Sequence, residues 1–133
     1  GNWRGLGTAL YLAQQGHQLT IVTPGPYVGK ELTRTSADLP LRSQLKQLGA
    51  IFLVESVISQ WQAGTATITS LLDQQQTQVE ASAIVVATTN RAFNELELEL
   101  TQAGISCHTI GDCVAPRQAI QAIYEGHKLG LEL

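Results

Sequence analysis

The sequence predicts an α/β layered domain with a mainly parallel sheet and one antiparallel hairpin. Strand-like apolar runs alternate with stretches of helical periodicity along the 133 residues. The run AIVVAT, residues 83–88, is continuous and β-branched, which suits a strand buried on both faces of a parallel sheet. TATITSLL and TQVEAS flank the polar turn DQQQ, the pattern of a hairpin.

The elements follow in order. Leu6, Ala9, Leu10 and Ala13 recur at helical spacing, and Gly16 is a natural stop. QLTIVT, 18–23, reads as a strand. PGPYVGKELTRTSADLP is loop-like, punctuated by Pro and Gly. A helix is expected over about 40–48, with Leu41, Leu45 and Leu48 on one face and Gly49 beyond it. IFLVES, 51–56, is expected as a strand, followed by the hairpin and the 83–88 strand. ELELEL, 95–100, alternates as a strand would. Asn94 followed by Glu97, with Gly104 beyond, instead fits a capped helix, and helix is the prediction. ISCHTI, 105–110, is then a strand, and roughly 116–130 a helix with Pro116 in its first turn. The chain opens at a Gly-containing turn and a helix, where a Rossmann-like fold has a buried strand first. It is therefore expected to be part of a longer protein, lacking the first strand, with an edge beside QLTIVT open to self-association. Two parts are expected: 1–90, and 91–133.

Composition narrows the function classes. The chain is 44% hydrophobic and 14% charged, enough to bury a core. A net charge of -3 argues against nucleic acid as the main partner. Apolar runs fall short of a membrane span, and no signal peptide opens the chain. Cys107 and Cys113 make no CxxC pair, so no metal site is expected and a cytoplasmic setting fits. His17, His108 and His127 have no carboxylate or thiol at a convincing spacing, and no catalytic residue is assigned.

Two motifs could carry ligand chemistry. In GNWRG, Gly5 stands as the third glycine of a dinucleotide fingerprint, with Asn2 at the second position. The strand that follows ends at Thr23-Pro24, where an NAD-binding unit usually has an acid. A structural alternative is that Gly5 and Gly7 only let a helix pack closely. In IGDCVAPRQ, Gly111 and Asp112 lie between a predicted strand and a predicted helix. Asp112 could accept a hydrogen bond from a sugar hydroxyl beside a helix end that favours phosphate, or it could only cap the helix.

The stretch IGDCVAPRQAIQAIYEGHKLG closely resembles the final motif of the trimethylamine dehydrogenase and 2,4-dienoyl-CoA reductase family. These are NADH:flavin oxidoreductases related to old yellow enzyme. GTALYLAQQGHQLTIVTPGPYVGKELTRTS is similar to their pyridine-nucleotide-type lobe, and AIVVATTNRAFNEL to the segment returning to the flavin-type lobe. Nearly the whole chain is covered. The resemblance implies an N-terminal (β/α)8 barrel carrying FMN and an iron–sulfur cluster, outside this chain. It also implies two nucleotide-binding lobes, holding FAD and receiving NAD(P)H in the reductases, or holding ADP. By that match, Gly111 and Asp112 lie at the FAD or ADP sugar, and Asn2 and Gly5 at the NAD(P) turn. Ala119, Ala122, Gly126 and Gly130 would let the last helix approach its neighbours. Two positions depart: Asn2 replaces a glycine, and Thr89 stands where glycine is common, which weakens the case for NAD(P). A competing expectation is a non-catalytic lobe that binds ADP or only docks domains.

Overall fold

The computed structural model describes residues 2–133, which form two compact units that meet in sequence at Thr88 and Thr89. The first unit begins with α1 (Trp3–Gln14), whose apolar side runs through Leu6, Ala9, Leu10 and Ala13. Gly16, at φ +87°, turns the chain out of the helix. Strand β1 (Thr20–Val22) pairs in parallel with β2 (Ile51–Leu53), in the register Thr20–Ile51, Ile21–Phe52 and Val22–Leu53. The crossover between them holds a 3₁₀ helix (Lys30–Thr35) and α2 (Asp38–Gln47). Leu6, Ala13, Val28, Leu32, Leu45 and Ala50 form the core under this crossover, joined by Leu19, Ile21, Leu41 and Phe52. Leu45 is fully buried, whereas Leu48 lies past the helix end and is 45% exposed.

An antiparallel meander completes the unit: β3 (Ser56–Gln62), β4 (Thr65–Ser70) and β5 (Gln76–Glu80). The predicted hairpin is β4–β5. Strand β3 was not expected, because SVISQWQ does not alternate cleanly. A bulge explains the pattern: register slips between Ile58 and Gln60, so Ser59 has no pair in the ladder. Ser59 Oγ donates to the Thr67 carbonyl at 3.1 Å, and Thr69 Oγ1 donates to Ser59 Oγ at 3.0 Å. Ala66 and Ile68 of β4 are buried, and the Trp61 indole donates to the Ala81 carbonyl at 2.9 Å.

The predicted strand at 83–88 does not form. The segment has no ladder partner among the described residues, and Val85 and Val86 are 60% and 75% exposed. β-Branched content expresses fit to a pleated surface; it supplies no neighbouring strand. The α/β class holds, with the parallel pairing carried by β1 and β2.

In the second unit, α3 (Glu95–Gln102) confirms the helical reading of ELELEL, and Gly104 follows it. Asn94 sits at the cap position but makes no capping bond to the backbone; its Nδ2 donates to Glu97 Oε2 at 3.3 Å. Residues 105–110 form no strand, for the same want of a partner. A short 3₁₀ turn, Gly111–Cys113, precedes α4 (Ala119–Glu132). This helix starts three residues later than predicted, so Pro116 lies in the loop before it. Gln118 is the cap, and its backbone N–H donates to Gln121 Oε1 at 3.2 Å. Asp112 is therefore not the N-cap of this helix.

Candidate functional site

The site is built around the corner Gly111–Asp112. Gly111 is buried and adopts φ +71°, a conformation costly for any residue with a Cβ. Its buried N–H needs an acceptor. Glu125, fourteen residues on, supplies one: Gly111 N–H donates to Glu125 Oε2 at 2.7 Å. The Arg117 guanidinium donates to the other oxygen, Glu125 Oε1, while its Nε donates to the Ala115 carbonyl at 3.0 Å. The Gly111 N–H first, and Arg117 second, hold the Glu125 carboxyl below its ordinary range.

Helix α4 reaches the corner because its facing residues are small. A Cβ on Gly111 would lie 3.7 Å from the Ala122 Cβ, and one on Gly126 3.9 Å from Ile110 Cδ1. A Cβ on Gly130 would meet nothing within 4 Å, and Ala119 is exposed, so only part of the small-residue pattern serves this approach.

Asp112 is exposed and lines a shallow depression of about 440 Å³ with Asn90, Arg91, Phe93, Cys113 and Pro116. Its Oδ1 accepts the Arg117 backbone N–H at 3.4 Å. Oδ2 takes no hydrogen bond from the described residues. The depression thus combines a carboxylate acceptor, a guanidinium and an aromatic ring. That set can take a polyol hydroxyl, an anion and a flat ring respectively.

The other predicted pair lies in the first unit. Asn2 is the N-cap of α1, and its Oδ1 accepts the Gly5 N–H at 3.1 Å. A Cβ on Gly5 would come to 3.0 Å from the Ala87 Cβ. Gly7 has open space around it. Asn2 and Gly5 are thus brought together at one helix end, as are Gly111 and Asp112 at one corner. Glu125 and Arg117 were not anticipated: Arg117 lies just before α4 and Glu125 within it, and their pairing depends on how the intervening loop closes. Among the described residues, no group of three or more His, Cys, Asp or Glu is arranged to hold a metal ion. No helix among them is long and apolar enough to cross a membrane.

No protein-family model matches the chain, and no curated protein matches it in sequence. Solved structures do match. Histamine dehydrogenase from Rhizobium sp. 4-9 superposes with a TM-score of 0.84 at 21% identity, over 99% of this chain and 22% of that one. For 6-hydroxypseudooxynicotine amine oxidase from Pseudomonas geniculata N1 the TM-score is 0.87 at 25% identity, over 97% and 20%. For 2-naphthoyl-CoA reductase, in complex with 2-naphthoyl-CoA, it is 0.79 at 24% identity, over 100% and 20%. All three are oxidoreductases of the trimethylamine dehydrogenase and old yellow enzyme-related family, so the resemblance found in the sequence holds in the structure. The chain spans about one fifth of the length of each.

Proposed function

We propose that this chain is a nucleotide-binding part of a flavin oxidoreductase, in which Asp112 accepts a hydrogen bond from a sugar hydroxyl of FAD or ADP. The observation that carries the reading is Asp112 on the rim of a depression that also presents Arg91 and Phe93. The side chains fit a nucleotide: Asp112 Oδ2 to accept from the hydroxyl, Arg91 to donate to a phosphate, and the Phe93 ring for a flat group. A flavin, when bound, supplies the electron-carrying chemistry. The residues here bind and orient.

The Asn2–Gly5 turn fits less well. Asn2 already takes the Gly5 N–H that a pyrophosphate would use, and Gly5 is occupied in packing. No step is therefore routed through NAD(P) at this turn. In the wider proposal this chain would hold the FAD that relays reducing equivalents towards FMN and an iron–sulfur cluster in a barrel outside it, and NAD(P)H would be bound elsewhere than at this turn. A cytoplasmic setting belongs to the same proposal.

One observation favours the second reading, a non-catalytic lobe that docks onto the barrel and binds ADP or no nucleotide. Ile120, Ile123 and Tyr124 form an exposed apolar stripe on α4, at 66%, 71% and 65% exposure. Calorimetric titration with FAD and with ADP separates the two readings: FAD binding supports the first, and ADP alone or neither ligand supports the second. Asp112→Asn should weaken binding on the order of tenfold to a hundredfold, while thermal unfolding without ligand stays near wild type. Unchanged affinity in Asp112→Asn and Asp112→Ala would make the corner structural and leave docking as the function.

A further inference from the structure

We infer that Glu125 and Arg117 are positioning residues that hold Asp112 in its ligand-accepting place. The inference rests on the nucleotide reading of Asp112 and adds two residues to it. The four groups form a closed ring of contacts. The Gly111 N–H goes to one oxygen of Glu125, the Arg117 guanidinium goes to the other, and the Arg117 backbone N–H goes to Asp112 Oδ1. Asp112 follows Gly111 directly in the chain, which closes the ring.

The corner backbone is also held by the Val114 and Ala115 N–H groups, which donate to the Gly111 carbonyl, and by Cys113 Sγ on the Ile110 carbonyl, but none of these bonds reaches the Asp112 carboxylate. Residues 114–118 have no regular secondary structure beyond the turn at Val114, and Asp112 itself is exposed. The Glu125 carboxylate, bridging the Gly111 N–H and the Arg117 guanidinium, holds the corner with charge-assisted bonds, which are stronger than neutral ones. It also ties the corner to α4, whose Ala122 and Gly126 allow the close approach. With Oδ1 engaged by the Arg117 N–H, the carboxylate of Asp112 is oriented and Oδ2 is left for a ligand. Loss of the Glu125 charge would let Arg117 drift, and with it the donor that orients Asp112.

The test is a double-mutant cycle on the whole 133-residue chain, with ADP and FAD as the probes. Affinity is read by calorimetry and stability by thermal unfolding without ligand. Glu125→Gln keeps an acceptor for the Gly111 N–H and weakens the tie to Arg117, so the fold should survive. It should weaken binding about tenfold. In an Asp112→Asn background the same change should add almost nothing, because Glu125 acts through the Asp112 carboxylate. Arg117→Lys, which keeps the charge but not the fork, should lose affinity in the same non-additive way. Full additivity of Glu125→Gln with Asp112→Asn overturns the positioning role and leaves the Asp112 reading intact. So does unchanged affinity in Glu125→Gln when Asp112→Asn alone weakens binding. If neither ADP nor FAD binds the wild-type chain, or Asp112→Asn binds as well as wild type, the nucleotide reading falls and this inference falls with it.

Discussion

Replacing Gly5 with alanine distinguishes a packing role from a ligand role at the first turn. The new methyl would meet the Ala87 Cβ at 3.0 Å, closer than two such carbons normally approach. Neither carbon is the end of a flexible side chain, so α1 or the 83–88 segment must move. Overpacking of this kind costs about 1–3 kcal/mol. Against it stands the helix preference of alanine over glycine, about 0.5–1 kcal/mol. The clash should win, with a net loss of about 1 kcal/mol. With a urea m-value of about 2 kcal/mol/M, that lowers the unfolding midpoint by about 0.5 M. Ala87→Gly removes the opposing methyl, so Gly5→Ala in that background should cost less than in wild type. Urea unfolding of the four proteins gives the coupling directly. Stability equal to or above wild type in Gly5→Ala, or zero coupling with Ala87→Gly, would refute the packing argument.

Other outcomes follow from the same structure. Leu45→Ala removes a fully buried side chain from under α2 and should cost about 2–5 kcal/mol, read by denaturant unfolding. Gly111→Ala meets only ordinary contact at 3.7 Å, so its cost should be the strain of φ +71° alone, about 1–2 kcal/mol, with the unfolding curve as the measure. Glu125 has a folded pKa below its ordinary 4.5, so its stabilisation is present above the unfolded value and lost as pH falls through the folded one. The difference in melting temperature between wild type and Glu125→Gln should therefore shrink as the pH is lowered from neutral into that acidic range. The chain should also self-associate through exposed apolar backbone near 83–88. Val86→Lys should reduce this in sedimentation velocity, and concentration-independent monomers in both proteins would count against it.

The sequence was informative where structure is local. Leu6, Ala9, Leu10 and Ala13 revealed α1 because helical periodicity is written within one segment. Asn94 and Glu97 identified the start of α3 correctly, although their side chains bond each other and leave the backbone uncapped. DQQQ marked the β4–β5 turn. Strands at 83–88 and 105–110 failed because a strand is completed by a distant partner that composition does not name. Strand β3 was obscured by its bulge at Ser59. At the candidate site, Gly111 and Asp112 stood out as a turn before a helix. Glu125 did not, because its pairing depends on how the loop between them closes, and that closure is a tertiary event.

The indole hydrogen bond of Trp61 to Ala81 has a spectroscopic consequence. Trp3 on α1 and Trp61 on β3 are the chain's two tryptophans, and both belong to the unit ending at Thr88. Emission from Trp61 reports closure of the meander, since its bond is lost once β5 peels away. Emission from Trp3 reports the start of α1. A fluorescence melt therefore follows only the first unit and is blind to the Asp112 corner. Tyr124 on α4 is the single tyrosine beyond Thr88, and the second unit carries no tryptophan, so Tyr124→Trp would supply the fluorescent reporter of that unit.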